Sequence, residues 1–126
     1  LIRIPVTRGA GTRVELRCPD PAANPYLVLA VCLEAGLDGI RNQITPPDAV
    51  TENVFEMQLQ QRAKLGIESL PGDLEQAVEE LEKDDYIKNV LGGHITEKYL
   101  EAKRAEWADY RAQVTEWEIE KYLYKI

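Results

Sequence analysis

Between Arg13 and Leu27 the chain carries one abrupt change of backbone: an extended run, a double proline stop, and a helix start. Arg13-Val14-Glu15-Leu16-Arg17-Cys18 alternates charged and apolar residues. That is the period of a strand, whose successive side chains point to opposite faces. Arg13, Glu15 and Arg17 then share one face, and Val14, Leu16 and Cys18 the other. Pro19 and Pro21 end the strand. Asn24 followed by Pro25 opens a helix. The amide oxygen can cap free backbone N–H groups, and proline at the first helical position loses nothing by lacking its own. Upstream, residues 2–6 read as a short strand and Thr7-Arg8-Gly9-Ala10-Gly11 as a turn. The chain therefore begins with a hairpin of strands at about 2–6 and 12–18.

The charged face has two readings. Neighbours on it lie roughly 7 Å apart, twice the strand rise. A carboxylate flanked by guanidiniums stays ionised, and an ionised carboxylate is a ligand for a hard cation such as Mg²⁺. Arginines present planar donor forks to phosphate or carboxylate. One face could therefore serve a metal and anions together. The same pattern also makes a solvated salt-bridge ladder. Arg3 falls on the first strand and Arg8 in the turn, where it reads as a solvated loop arginine.

The helix from Pro25 to about Asn42 is apolar round most of its circumference, through Tyr26, Leu27, Val28, Leu29, Val31, Cys32, Leu33, Leu37 and Ile40. Such a helix is expected to be buried and to prop the strand, with Cys32 a small core residue. Residues 43–55 form a connector with Pro46-Pro47, and a short helix is expected at about 57–65, ended by Gly66. Leu70-Pro71-Gly72 is a turn, and Asp73 with Gln76 resembles a capping box. Leu74, Ala77, Val78 and Leu81 then mark an acidic amphipathic helix. A further short helix covers about 84–91 and stops at Gly92-Gly93. His94, the only histidine, lies near a helix start and reads as structural. A long helix over about 96–113 would bury Tyr99, Leu100, Trp107, Tyr110 and Val114. Thr115 and Glu118 form a second capping box, starting a tail helix over 115–126 with Trp117, Tyr122, Leu123 and Ile126 on one side. The fold class is α+β: a mostly helical fragment whose N-terminal hairpin would complete a larger antiparallel sheet.

Charge narrows the partners. The chain carries seven net negative charges, which argues against general nucleic-acid binding. Residues 1–44 hold five basic and four acidic residues, net +1, and residues 45–126 hold ten and eighteen, net −8. The segment with the proposed anion face is thus the relatively basic one. Two cysteines make no disulfide framework, and no Cys/His cluster points to zinc. The apolar run Tyr26 to Leu33 is too short to span a bilayer, so no membrane association is expected. A reduced, cytoplasmic setting follows as the default. Met57 is the only methionine, and a lone hairpin is marginal in water. The chain is therefore expected to be a piece of a longer protein, with the sheet partners of its hairpin elsewhere.

The block Arg13 to Leu27, with its Pro19-Asp20-Pro21-Ala22-Ala23-Asn24-Pro25-Tyr26-Leu27 run, resembles the C-terminal part of the catalytic domain of class I glutamine synthetases. The likeness continues through Ala35-Gly36-Leu37-Asp38-Gly39-Ile40, then more loosely through Leu70-Pro71-Gly72 and Glu106-Trp107 to the end. It implies residues 1–126 of such a domain, and a cytoplasmic ligase joining ammonia to L-glutamate with ATP through a γ-glutamyl phosphate. It implies Mg²⁺ or Mn²⁺ as the metal, Glu15 as a metal ligand, Arg17 as the residue that holds substrate glutamate, and Arg3 and Arg13 as ATP and phosphate contacts. No complete catalytic set lies within the chain: the family's other metal-binding glutamates, a histidine and a mobile glutamate loop are expected upstream of Leu1. The isolated chain is expected to be inactive. Regulated members carry a tyrosine that accepts a nucleotidyl group. The matching position here is Phe55, which has no hydroxyl to modify. The resemblance also implies a homo-oligomer of two stacked six-subunit rings locked by C-terminal helices. Two other readings stand beside it: a γ-glutamyl-amine ligase of the same superfamily, and a non-catalytic acidic helical assembly domain.

Overall fold

The structure, a computed structural model, describes residues 2–123 and 125. The chain divides into two compact units, Leu1–Ile44 and Thr45–Ile126. The division matches the change of net charge along the sequence.

The first unit holds a two-stranded antiparallel sheet and one helix. Strand β1 (Ile2–Arg3) pairs with β2 (Glu15–Leu16), with Ile2 opposite Leu16 and Arg3 opposite Glu15. The hairpin is real, but its ladder is much shorter than the expected strands. Pro5 has no N–H to give to a ladder. The chain then turns through a 3₁₀ segment, Gly9–Gly11, whose entry needs Gly9 at φ 73°. Helix α1 (Pro25–Arg41) starts where expected. Asn24 Oδ1 accepts from the N–H groups of Tyr26 at 3.0 Å and Leu27 at 3.4 Å, and Pro25 occupies the first turn. It closes in a Schellman motif, the Ile44 N–H donating to the Gly39 carbonyl at 2.9 Å. Gln43 takes the left-handed position at φ 52°, a place that glycine more often fills.

Burial corrects the reading of α1. No residue of the helix is buried, and Tyr26, Leu29, Cys32, Leu33 and Ile40 are exposed. Cys32 is therefore not a core residue. A helix apolar on most sides needs cover on most sides, and the two short strands of this unit offer too little surface to supply it.

The second unit is a three-helix cluster preceded by a shorter helix. Helix α2 (Leu59–Lys64) follows a connector in which Met57 is buried, and ends at Gly66 with φ 64°. Helices α3 (Leu74–Lys83), α4 (Asp85–Leu91) and α5 (Gly93–Arg111) all pack on one another. Asp73 caps α3 through the Gln76 N–H at 2.8 Å. The Gln76 side chain, however, reaches the Gly72 N–H at 3.0 Å and not that of Asp73, so the expected box is shifted by one residue. Asp84 ends α3 and caps α4 through the Ile87 N–H at 3.0 Å. Gly92 sits at φ 79° and lets α5 follow at once.

Val78 on α3 is buried, as the stripe predicted. The Thr96 hydroxyl, also buried, donates to the Lys88 carbonyl at 3.2 Å and ties α5 to α4. Arg104 on α5 is ion-paired with Glu82 on α3. Trp107 is half-buried, but Tyr99, Tyr110 and Val114 are exposed. The expected apolar stripe of α5 is therefore wider than the surface that α3 and α4 cover.

The tail begins at its predicted cap. The Thr115 hydroxyl accepts from the Glu118 N–H at 3.2 Å, and Glu118 Oε2 accepts from the Thr115 N–H at 2.8 Å. One α-turn, α6 (Glu116–Glu118), passes into a π-helical stretch, Ile119–Leu123, in place of a continuous α-helix. Trp117, Tyr122 and Leu123 are exposed, while Ile126 lies outside the described residues. Among the described residues no helix is long and apolar enough to cross a membrane.

The capping box generates a pH test. The Thr115 backbone N–H, followed by its hydroxyl, holds the Glu118 carboxyl below the usual glutamate range. A depressed folded-state value means that the cap contributes above the ordinary glutamate pKa and is lost as pH falls through the depressed one. Carboxyl NMR should show Glu118 titrating below the usual glutamate range, and Thr115→Ala should move the midpoint back up.

Candidate functional site

The site is built on the hairpin of the first unit. Pairing Arg3 with Glu15 across the ladder sets the two side chains on the same face of adjacent strands. The period of two sends Arg13 and Arg17 to that face on either side of Glu15. All four side chains meet. Arg3 Nη1 lies 3.1 Å from Glu15 Oε2, and Arg17 Nη2 lies 3.1 Å from the same oxygen. Arg13 approaches the other oxygen, Oε1, through Nε at 2.9 Å and Nη2 at 2.7 Å. The Glu15 side chain keeps 22% of its surface exposed, whereas the three arginines keep 52–60%. The carboxylate lies beneath a cover of guanidiniums.

The electrostatics follow. The Arg3 hydrogen bond lowers the Glu15 carboxyl below the usual range. Partial desolvation opposes it, and the Arg13 and Arg17 hydrogen bonds add to the lowering. The cluster holds three positive charges and one negative. Its surplus faces solvent through exposed, fork-shaped donors, which suits carboxylate and phosphate.

Arg8 is not part of the cluster. Its guanidinium donates to the Pro5 carbonyl at 2.6 Å and the Thr7 carbonyl at 3.2 Å, holding its own loop. His94 is exposed in the first turn of α5, in the other unit. Phe55 is 90% exposed on a turn in which Asn53 accepts from the Phe55 N–H at 3.2 Å and donates to Glu56 at 2.8 Å. Cys18, beside Arg17, is exposed. What the pattern of one strand did not give is the register. That Arg3 stands directly opposite Glu15 was legible only as a charge complementarity between the two arms of the hairpin.

A divalent metal is a fair fit to one atom pair here and no more. Glu15 offers hard carboxylate oxygens, the donor type that Mg²⁺ and Mn²⁺ take. Among the described residues no group of three or more His, Cys, Asp or Glu is placed to hold a metal ion. Glu15 is therefore suited to be one ligand of a larger set.

Comparison with known proteins identifies a family. A sequence profile described as "Glutamine synthetase, catalytic domain" matches residues 1–122. A glutamine synthetase of Clostridium saccharobutylicum is 54% identical over 125 residues, covering 99% of this chain and 28% of that protein. One from Methanocaldococcus jannaschii is 51% identical over 123 residues, covering 98% of the chain and 27% of the relative. A solved structure described as "GmaS/ADP complex-Conformation 1" superposes with a TM-score of 0.77 at 42% identity, covering 89% of this chain and 25% of that one. The chain thus spans little more than a quarter of the length of the relatives it matches. With the profile matching nearly its whole length, the chain belongs to the glutamine synthetase catalytic-domain family.

Proposed function

We propose that this chain forms one wall of the active site of a glutamine synthetase, an ATP-dependent cytoplasmic ligase that joins ammonia to L-glutamate through a γ-glutamyl phosphate. The observation that carries the reading is the convergence of Arg3, Arg13 and Arg17 on Glu15 in a member of this family. Phosphoryl transfer to a carboxylate gathers negative charge from ATP and glutamate in one place. Catalysis of such a step rests on positioning and on electrostatic stabilisation. Arg3 and Arg13 would bind and orient the phosphates of ATP. Arg17 would hold the substrate carboxylate, as a planar fork matches it in two bonds. Glu15 would supply one ligand to Mg²⁺ or Mn²⁺. Bound there, the metal supplies charge neutralisation and Lewis acidity at phosphate oxygens. The remaining ligands and the ammonia site would come from outside residues 1–126, so the chain on its own would be inactive.

A second reading is ligation of another amine in place of ammonia; the chain is also 41–42% identical to structures of a related protein named GmaS. The relatives described as glutamine synthetase reach 54%, which favours ammonia. A non-catalytic assembly domain has no comparable support.

Two substitutions in the full-length protein test the assignments. Glu15→Gln should keep the fold and lower Mg²⁺-dependent glutamine formation by about 100-fold or more, since even indirect partners of a metal are worth about 10–100-fold. Near-normal turnover at ordinary magnesium would remove Glu15 from the metal. Arg17→Lys should raise KM for glutamate about tenfold while leaving that for ATP much less changed, because lysine cannot reproduce the fork. A defect confined to ATP would reassign Arg17 to the nucleotide.

The tail extends the reading to assembly. Trp117 and Tyr122 pack edge to face, 5.8 Å between centroids, yet both stay exposed together with Leu123. An apolar helical segment of this kind suits a groove on a partner. We place it in another subunit of a double-ring homo-oligomer. Deleting residues 115–126 from the full-length protein should yield single rings or smaller species by light scattering. An unchanged mass would mean that the tail docks within its own chain or ring.

A further inference from the structure

Arg13 is held from two sides. Its Nε and Nη2 face Glu15 Oε1 at 2.9 and 2.7 Å, and its Nη1 donates to the Gly11 carbonyl at 3.2 Å. The second anchor belongs to the turn between the strands. Gly11 lies so close to Thr7 that a Cβ added to it would fall 2.7 Å from Thr7 Cγ2 and 3.5 Å from Thr7 Cβ. Its φ is not positive, so space and not backbone conformation requires glycine there. Thr7 is β-branched and has few rotamers into which to retreat. Its backbone is held as well. Arg8 Nη1 donates to the Thr7 carbonyl at 3.2 Å and to the carbonyl of Pro5, a buried residue, at 2.6 Å. The Thr12 N–H donates to the Gly9 carbonyl at 3.1 Å and closes the turn. A line of contacts therefore runs from Arg8 through Thr7 and Gly11 to Arg13.

We propose that Gly11 and Arg8 are positioning residues for Arg13: the braced turn sets the Gly11 carbonyl, and that carbonyl sets the direction in which the guanidinium meets the phosphates of a nucleotide. This rests on the reading of Arg13 as a phosphate contact. Glu15 by itself leaves the direction open, because a guanidinium can pivot about a single carboxylate oxygen. The Gly11 carbonyl, on the other side, removes the pivot. Aim matters because a planar fork makes two parallel bonds to phosphate only when both of its N–H groups are in line. Arg17 reaches Glu15 through Nη2 at 3.1 Å, from the far side of that residue, so the turn bears on Arg13 and not on Arg17.

The test is ADP binding to the full-length protein by isothermal titration calorimetry, measured beside KM for glutamate. Gly11→Ala should weaken ADP about tenfold, within the roughly 100-fold that a misplacement of about 1 Å can cost, and should leave KM for glutamate much less changed. Adding Thr7→Ser removes the methyl group that the new Cβ meets, and should restore ADP binding. Normal ADP binding by Gly11→Ala, or no recovery with Thr7→Ser, would overturn the proposal. Arg8→Gln loosens the turn without a clash, and serves where Gly11→Ala does not fold. It should weaken ADP about threefold on its own and not at all in an Arg13→Gln background, since residues that act through one another are not additive. An undiminished loss in that background would make Arg8 a phosphate contact in its own right and overturn the proposal. Arg13→Gln alone separates the two readings. If it leaves ADP binding unchanged, the phosphate role of Arg13 fails and the proposal falls with it. A loss there, together with normal binding by Gly11→Ala, overturns the positioning alone.

Discussion

One carboxylate shared among three guanidiniums organises the first unit. Arg3 reaches Glu15 from the opposite strand, and Arg13 and Arg17 reach it from either side on the same strand. Exposed ion pairs taken singly stabilise little. The value of this cluster lies in geometry: it fixes the register of a hairpin with only two residues in each strand. A slip of one residue would send Arg13, Glu15 and Arg17 together to the far face and leave Arg3, on the opposite strand, without its counter-charge. Fold and candidate chemistry therefore depend on the same four side chains.

The strand-to-helix switch was legible because each signal has a local cause. Pro25 and the Asn24 cap fix the start of α1, Asp73 and Asp84 fix α3 and α4, and Thr115 with Glu118 fixes α6. These contacts span two or three residues, and their partners lie within the same short stretch of sequence. The charged face was legible for the same reason, since period two is a property of the strand alone. Its functional weight was not. A ladder of ion pairs and a metal-and-anion site share one pattern, and only the family resemblance of the Pro19–Leu27 run favours the second.

Burial was the least legible feature, because it belongs to surfaces that face each other across the chain. Periodicity says which side of α5 is apolar, but not how much of that side α3 and α4 can cover. They cover Trp107 and Leu100 in part and leave Tyr110 exposed. The strand lengths fail for a related reason. Alternation continues to Cys18, yet a ladder needs a partner N–H and carbonyl at each step, and Pro5 with the glycine turn removes them.

The open face of α1 shows what the candidate site still needs. Tyr26, Leu29, Leu33 and Ile40 are exposed by 83%, 69%, 64% and 75% and fall at helical spacings of three, four and seven. Gly36 lies on the same stripe, and a Cβ built there would meet nothing within 4 Å. The hairpin's apolar side is open as well, at Ile2, Val14 and Leu16. Charged and apolar sides of β2 are two faces of one backbone, so whatever covers the apolar side also fixes the aim of the guanidiniums. Precise placement of a reacting phosphate needs side chains held to a fraction of an ångström or so by their supports. On the proposed reading the ion-pair cluster would supply residues for such a site, and packing against those apolar faces would supply its rigidity.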